Sequence, residues 1–164
     1  MWPLAVLTTL LSLSGYYALE GQQRQTAASQ GKAAVLADSM AVYREAVRQY
    51  FASHPGPQRS VTLAALRASH ALPAWSPLYT DTGPAPWANY RAADGTIYIY
   101  AAAATQNIAA DVVRLSRNSV LAGVFRAGDT TLYSPVFGNT GIPLPTPAEA
   151  AIPDGSPVWI ATSP

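Results

Sequence analysis

Two histidines, nine carboxylates and no cysteine define the chemistry open to this 164-residue chain. His54 and His70 lack the close histidine, cysteine or carboxylate partners that metal-ligand spacing requires. His54 adjoins a Pro-Gly break, and His70 stands where a helix should end, a place where a cation suits the helix dipole. Both read as capping or surface residues. Asp94, Asp129 and Asp154 each neighbour a glycine, as turn chemistry demands. No carboxylate pair lies close to a histidine, and no Gly-x-Ser-x-Gly elbow or phosphate-cradling glycine loop is present. The run Gly138-Asn139-Thr140-Gly141 reads as a turn. The absence of cysteine excludes disulfides, thiolate ligands, cysteine nucleophiles and an acylated lipoprotein cysteine. These residues assign no catalytic, cofactor-binding or metal site. The expectation is a protein that is not an enzyme and needs no cofactor.

The elements come from periodicity. From Ala33 to Ser53, Leu36, Met40, Tyr43, Val47 and Tyr50 recur at spacings of four and three, one apolar stripe on a helix. Asp38, Arg44, Glu45 and Arg48 fall largely off that stripe, and His54-Pro55-Gly56-Pro57 stops it. Ser60 is placed to cap a second helix through about His70, with Leu63 and Leu66 inward; Pro73 follows. The segment from Leu72 to Trp87 is long, irregular and rich in proline and aromatics, and is expected to pack on its own side chains. Asn89–Arg91 and Thr96–Tyr100 flank an Asp94-Gly95 turn and read as a hairpin. Ile97 and Ile99 share one face of it, Tyr98 and Tyr100 the other. Thr105 or Asn107 can cap a third helix with Ile108, Val112 and Leu115 buried and Asn118 as its stop. A second hairpin turns at Ala127-Gly128-Asp129. The proline-rich stretch from Gly141 to Pro157 runs extended over the surface, and Val158–Thr162 is a last strand.

Composition narrows the class further. Only 12% of residues are charged, the net charge is +1 and 49% are hydrophobic. That balance argues against disorder and against a basic face for nucleic acid. Trp2 to Leu19 carries no charge, and about 18 helical residues span roughly 27 Å, enough for a hydrocarbon layer. Trp2, Tyr16 and Tyr17 lie where interfacial aromatics are favoured. Three readings fit this segment: a single membrane anchor, a cleaved signal processed near Ser12-Leu13-Ser14, or a buried helix. The missing basic n-region favours the anchor. Arg24 and Lys32 lie beyond the span, so flanking charge orients it only weakly, and export of the remainder is the favoured outcome.

Gly15 and Glu20 have the spacing read by prepilin peptidases, which cut after the glycine. In a prepilin, however, the hydrophobic segment follows the cut. Here it precedes Gly15, and Gly21–Lys32 is too polar to sit in a bilayer. Residues 1–20 are therefore read as the anchor, 21–32 as a polar linker and 33–164 as an α+β domain. The fold class is α+β: an N-terminal membrane helix and a long amphipathic helix, then a small antiparallel sheet with one or two packed helices.

The order of these elements is similar to that of a known family. The hydrophobic start followed by "MAVYREAVRQYFASHPG", then "LPAWSPLY", "ANYRAADGTIYIYA" and "GSPVWIAT", resembles the PilM family of type IVB thin-pilus biogenesis proteins of conjugative plasmids. This family is distinct from the actin-like ATPase of the same name. "VYREAVRQY" is also similar to the post-anchor helix of type IVB pilins. The resemblance implies a single-pass protein of the bacterial inner membrane with its domain in the periplasm. It implies no catalysis and supplies no site residues. Other pilus-assembly proteins are the implied partners, the membrane is contacted through the N-terminal helix, nucleic acid is not bound, and a homo-oligomer is compatible. The interaction surfaces expected are the Val35–Phe51 helix and the Trp75–Trp87 loop. The alternatives are a minor pilin or pilin-like subunit, and a secreted periplasmic binding or hydrolytic domain. Mass spectrometry of the mature N-terminus separates anchor from pilin: the expected protein does not begin at Tyr16, and an N-methylated Tyr16 end would restore the pilin reading.

Overall fold

A computed structural model describes residues 29–57, 59–103 and 108–162. The chain divides into two units, Met1–Ala33 and Ala34–Pro164. Of the first, residues 29–33 are described, and they are helical. The expected anchor, the Gly15–Glu20 spacing, most of the polar linker and the caps Thr105 and Asn107 lie outside the described residues. No described helix is long and apolar enough to cross a membrane.

Helix α1 covers residues 29–53. Its expected stripe is the face it buries: Met40, Tyr43, Val47 and Tyr50 are buried, joined by Ala37, Ala46 and Phe51, while Leu36 is half-buried. Glu45 and Arg48 pair with each other on the solvent side, at 2.6 Å. Two short helices follow, α2 (Leu63–Ala68) and α3 (Pro77–Thr80), and a third, α4 (Ala109–Leu115). The strands are β1 (Trp87–Arg91), β2 (Thr96–Ala101), β3 (Ala122–Val124), β4 (Thr131–Ser134), β5 (Gly138–Pro143) and β6 (Pro157–Thr162). They form a six-stranded sheet in the order β1-β2-β6-β3-β4-β5 with antiparallel pairing throughout. The α+β class is as expected. The last strand, β6, lies in the middle of the sheet.

Register sorts the side chains onto two faces. Asn89, Ile99, Trp159 and Ala122 stand in one row across β1, β2, β6 and β3. This is the face that α1 covers, as bonds donated by Trp87 and Asn89 of β1 to Ser39 and Tyr43 show. Arg44 adds to them by donating from Nε and Nη2 to the Ile160 carbonyl, at 3.3 and 3.2 Å. Tyr90, Tyr98 and Ile160 form the neighbouring row on the opposite face. There Tyr98 and Tyr100 pack with Leu132, Val158, Ala150 and Ile152 in a second core. The proline-rich segment is what buries these tyrosines, with Ile142 and Leu144 against the cluster and the Tyr98 hydroxyl donating to the Pro143 carbonyl. Each face of the sheet thus has its own cover.

Several expectations are corrected. Thr62, not Ser60, caps α2 by accepting from the Ala65 amide, and the helix ends at Ala68, before His70. His70 itself has φ +57°. Trp87 belongs to β1 and not to a loop, and is buried. The irregular segment before it contains α3, capped by Ser76 with Leu78 buried. Arg67 holds it to α2 by donating to the carbonyls of Leu78 and Asp81. In α4, Ile108 and Val112 are buried as expected, but Leu115 is exposed and Val113 faces inward instead. The helix is too short for a further inward turn: Arg117 and Asn118 already have positive φ.

Strand β5 takes the place of the turn and extended chain expected there. It is a kinked strand in which Gly138 and Gly141 have φ +72° and +69°. The amides of Gly141 and Ile142 bond to the side chains of Asn139 and Thr140.

Gly123 sits where β3 and β4 approach too closely for a side chain. An added Cβ would stand 2.2 Å from the Tyr133 carbonyl oxygen, and 3.1 Å from Leu132 Cδ1. Backbone cannot give way as a flexible side chain can. Gly123→Ala is expected to destabilise the fold by about 3 kcal/mol, read from the urea midpoint; an unchanged midpoint would show that the two strands are free to separate.

Candidate functional site

A cleft of about 670 Å³ opens along β1, between the chain entering α2 and the proline-rich segment. Asn89 forms its inner wall and is 5% exposed. A buried carboxamide must place two donors and its acceptor oxygen. Asn89 donates to the Tyr43 hydroxyl at 2.7 Å and to the Val61 carbonyl at 2.7 Å, and accepts from the Val61 amide at 2.9 Å. The amide therefore pairs with Val61 as a neighbouring strand would. Trp87, two residues earlier on the same face, donates from Nε1 to Ser39 Oγ at 3.0 Å.

The outer wall is a chain of hydrogen bonds. Arg59 donates from Nη1 to the Tyr90 hydroxyl at 2.9 Å, and that hydroxyl donates to Glu149 at 3.2 Å. The amide and hydroxyl of Thr146 donate to the other Glu149 oxygen, both at 2.9 Å. The Thr146 amide and hydroxyl, then Tyr90, hold the Glu149 carboxyl below the usual carboxylate range. On the inner wall the Tyr43 phenol is pushed up to about 12, because burial disfavours the phenolate by more than the Asn89 bond favours it. Tyr100, which also lines the cleft, is raised by burial.

Such walls present hydrogen-bonding groups beside apolar carbon from Val61, Leu63 and Ala88. The two histidines are elsewhere. His54 stacks on Tyr50 with ring centroids 4.2 Å apart, its Nδ1 lying 3.0 Å from the Tyr50 carbonyl, and His70 is an exposed residue after α2. Among the described residues no three His, Asp or Glu side chains gather into a metal-binding group.

The interaction surfaces expected from the sequence divide. The apolar stripe of the Val35–Phe51 helix is spent on the sheet, leaving Val35 as its large exposed apolar residue. In the 75–87 loop, Trp75 is 75% exposed whereas Trp87 is 1% exposed. The sequence motifs do not mark Asn89, Arg59 or Glu149 as a site. Asn89 is the one residue with a readable signal, an amide at an inward position of a strand.

The fold is similar to that of a crystal structure described as a PilM protein from Escherichia coli B7A. The two match with a TM-score of 0.51 over 81% of this chain and 94% of the other, at 19% sequence identity. At that identity the likeness concerns the fold. The sequence profile of the PilM family matches residues 8–160, and the chain belongs to that family. This is the family the order of the sequence elements pointed to. No curated protein matches the chain in sequence.

The buried phenol makes a pH prediction. Tyr43 titrates near 10.0 unfolded and near 12 folded, so its contribution is whole below pH 10 and is lost as pH rises through 12. Two units correspond to about 3 kcal/mol. Tyr43→Phe is expected to lower stability near neutral pH, and to remove that share of the alkaline loss. Urea unfolding of both proteins from pH 8 to 12 measures it; parallel curves would mean that Tyr43 does not titrate in this window.

Proposed function

We propose that the protein is a non-enzymatic component of type IV pilus assembly, of the type IVB thin-pilus kind used in conjugation. Residues 1–20 hold it in the inner membrane, and the α+β domain faces the periplasm and acts through protein contacts. The observation that carries this reading is membership of the PilM family across residues 8–160, which ties the chain to pilus biogenesis. The uncharged Trp2–Leu19 segment supports the anchor. A cleft walled by hydrogen-bonding groups, and exposed apolar residues such as Trp75 and Phe137, support contact with other proteins.

One observation favours a second reading, a pilin-like subunit: a long helix covering one face of an antiparallel sheet is also a pilin's build.

The test is recovery of the tagged full chain from its own host after crosslinking and mild detergent extraction. Pilus-assembly proteins are expected to accompany it, and the domain is expected to be cut by protease only once the outer membrane is opened. A lone monomer recovered under gentle conditions, or a domain reached by protease only from the cytoplasmic side, would count against the proposal.

A further inference from the structure

The two faces of the sheet are covered by segments held very differently. On one face α1 accepts bonds from Trp87 and Asn89 and donates from Arg44 to the Ile160 carbonyl. On the other, the cover over the tyrosines is residues 145–152. It is fixed firmly just outside its ends. The Leu144 amide donates to the Thr130 carbonyl at 2.9 Å, the Gly155 amide to the Phe125 carbonyl at 3.0 Å, and Asp154 accepts from the Ala127 amide at 2.7 Å. Between those points, among the described residues, one hydrogen bond joins the cover to the rest of the fold. It runs from the Tyr90 hydroxyl to Glu149.

Within itself the cover is well bonded. The Thr146 amide and hydroxyl donate to the Glu149 carboxylate, and the Glu149 and Ala150 amides donate to the Thr146 carbonyl, all at 2.9 Å. A carboxylate reaching back three residues to an amide is the closure of a capping box. Pro145, Pro147 and Pro153 have no amide to donate, so no ladder restrains the ends of the turn. Of its side chains Ala150 and Ile152 are buried, against Tyr90, Tyr98, Tyr100, Leu132, Val158 and Ile160. Space lies on both flanks. The main cleft reaches residues 148–151 from the side of β1, and a separate cavity of about 400 Å³ lies between Phe125 and the prolines. Ala150 and Ala151 line both, and a side chain facing a void forgoes the contacts it would otherwise make there.

We propose that residues 145–152 form a strap that lifts as one body, with the Tyr90–Glu149 bond as its catch, and so gates the tyrosine face of the sheet. Lifting takes Ala150 and Ile152 off the rings and merges the two cavities over β2 and β6. The turn keeps its own bonds in either position. Opening therefore breaks one hydrogen bond and uncovers two small apolar side chains, far less than unfolding of the domain requires. Arg59 sets the catch. A guanidinium can only donate, so its bond to the Tyr90 oxygen leaves the single hydroxyl proton for Glu149. Strap opening is a property of the fold alone, and it stands or falls independently of the pilus reading.

The chain has no cysteine, so a single introduced thiol can report opening. Val158→Cys places one beneath the strap, at a fully buried position that lines neither cavity. Val47→Cys, equally buried, places one under α1 on the opposite face. The full chain in mild detergent is treated with an aromatic disulfide reagent, and the rate of thiol modification is followed. The Val158→Cys thiol is expected to react faster than the Val47→Cys thiol. Adding Tyr90→Phe is expected to raise the first rate about tenfold and to leave the second unchanged. Glu149→Ala, at an exposed position, removes the catch from its other side should Tyr90→Phe unfold, and is expected to act in the same direction. The two changes together are expected to add little to either alone, because both delete one bond. Equal rates for the two thiols would mean that the tyrosine face opens only with the whole domain, and would overturn the strap. Catch variants that leave the Val158→Cys rate unchanged, or raise both rates alike, would overturn the role of the Tyr90–Glu149 bond.

Discussion

A primary amide buried beneath a helix has nowhere to turn but the protein, and its geometry leaves little freedom in where partners stand. Asn89 has one such partner on α1 and two on the strand-like approach to α2. One side chain thus ties together sheet edge, long helix and the loop that closes the cleft. Spacing makes the arrangement possible. Trp87 and Asn89 are about 6.7 Å apart along a strand, and Ser39 and Tyr43 are about 6 Å apart along a helix. The two donors therefore meet two acceptors one helical turn apart, and the helix is held in register with the strand. Arg44 extends the same logic to the centre of the sheet, reaching the Ile160 carbonyl with its guanidinium plane over Trp159.

The opposite face solves its burial differently. Tyrosine needs apolar cover for its ring and a partner for its hydroxyl. The proline-rich chain supplies both, with Ala150 and Ile152 against the rings and carbonyl or carboxylate oxygens for the hydroxyls. Proline loses little conformational freedom on ordering, which suits a cover that beyond β5 has no strand pairing of its own. A chain this small thereby fills both sides of its sheet, with a helix on one side and irregular chain on the other.

These contrasts explain what could be read from the sequence. The Met40–Tyr50 stripe, the Asp94-Gly95 hairpin and the strand at Val158–Ile160 are local patterns, visible because period and turn chemistry act over a few residues. Family kinship was legible for the same reason, since it lies in the order of such elements. The candidate site was not. Asn89 finds Tyr43 at a separation of 46 residues and Val61 at 28, and no pattern in either neighbourhood announces the pairing. Trp87 falls outside the expected hairpin because Pro84 and Pro86 just before it disguise the start of a strand. The end of α2 and the outward turn of Leu115 depend on left-handed residues at His70, Arg117 and Asn118, where glycine would be the usual signal.

The kinked outer strand carries a consequence for how this protein tolerates company. Strands at the margin of a sheet can template pairing with other chains, the hazard behind fibrous aggregation. In β5, Asn139 and Thr140 have turned their side chains onto the amides of Gly141 and Ile142, and two left-handed glycines bend the backbone out of plane. An arriving strand would meet amides already engaged along a line it cannot follow. The sheet is finished from within, so crowding alone gives neighbouring chains no ready way to extend it from that side.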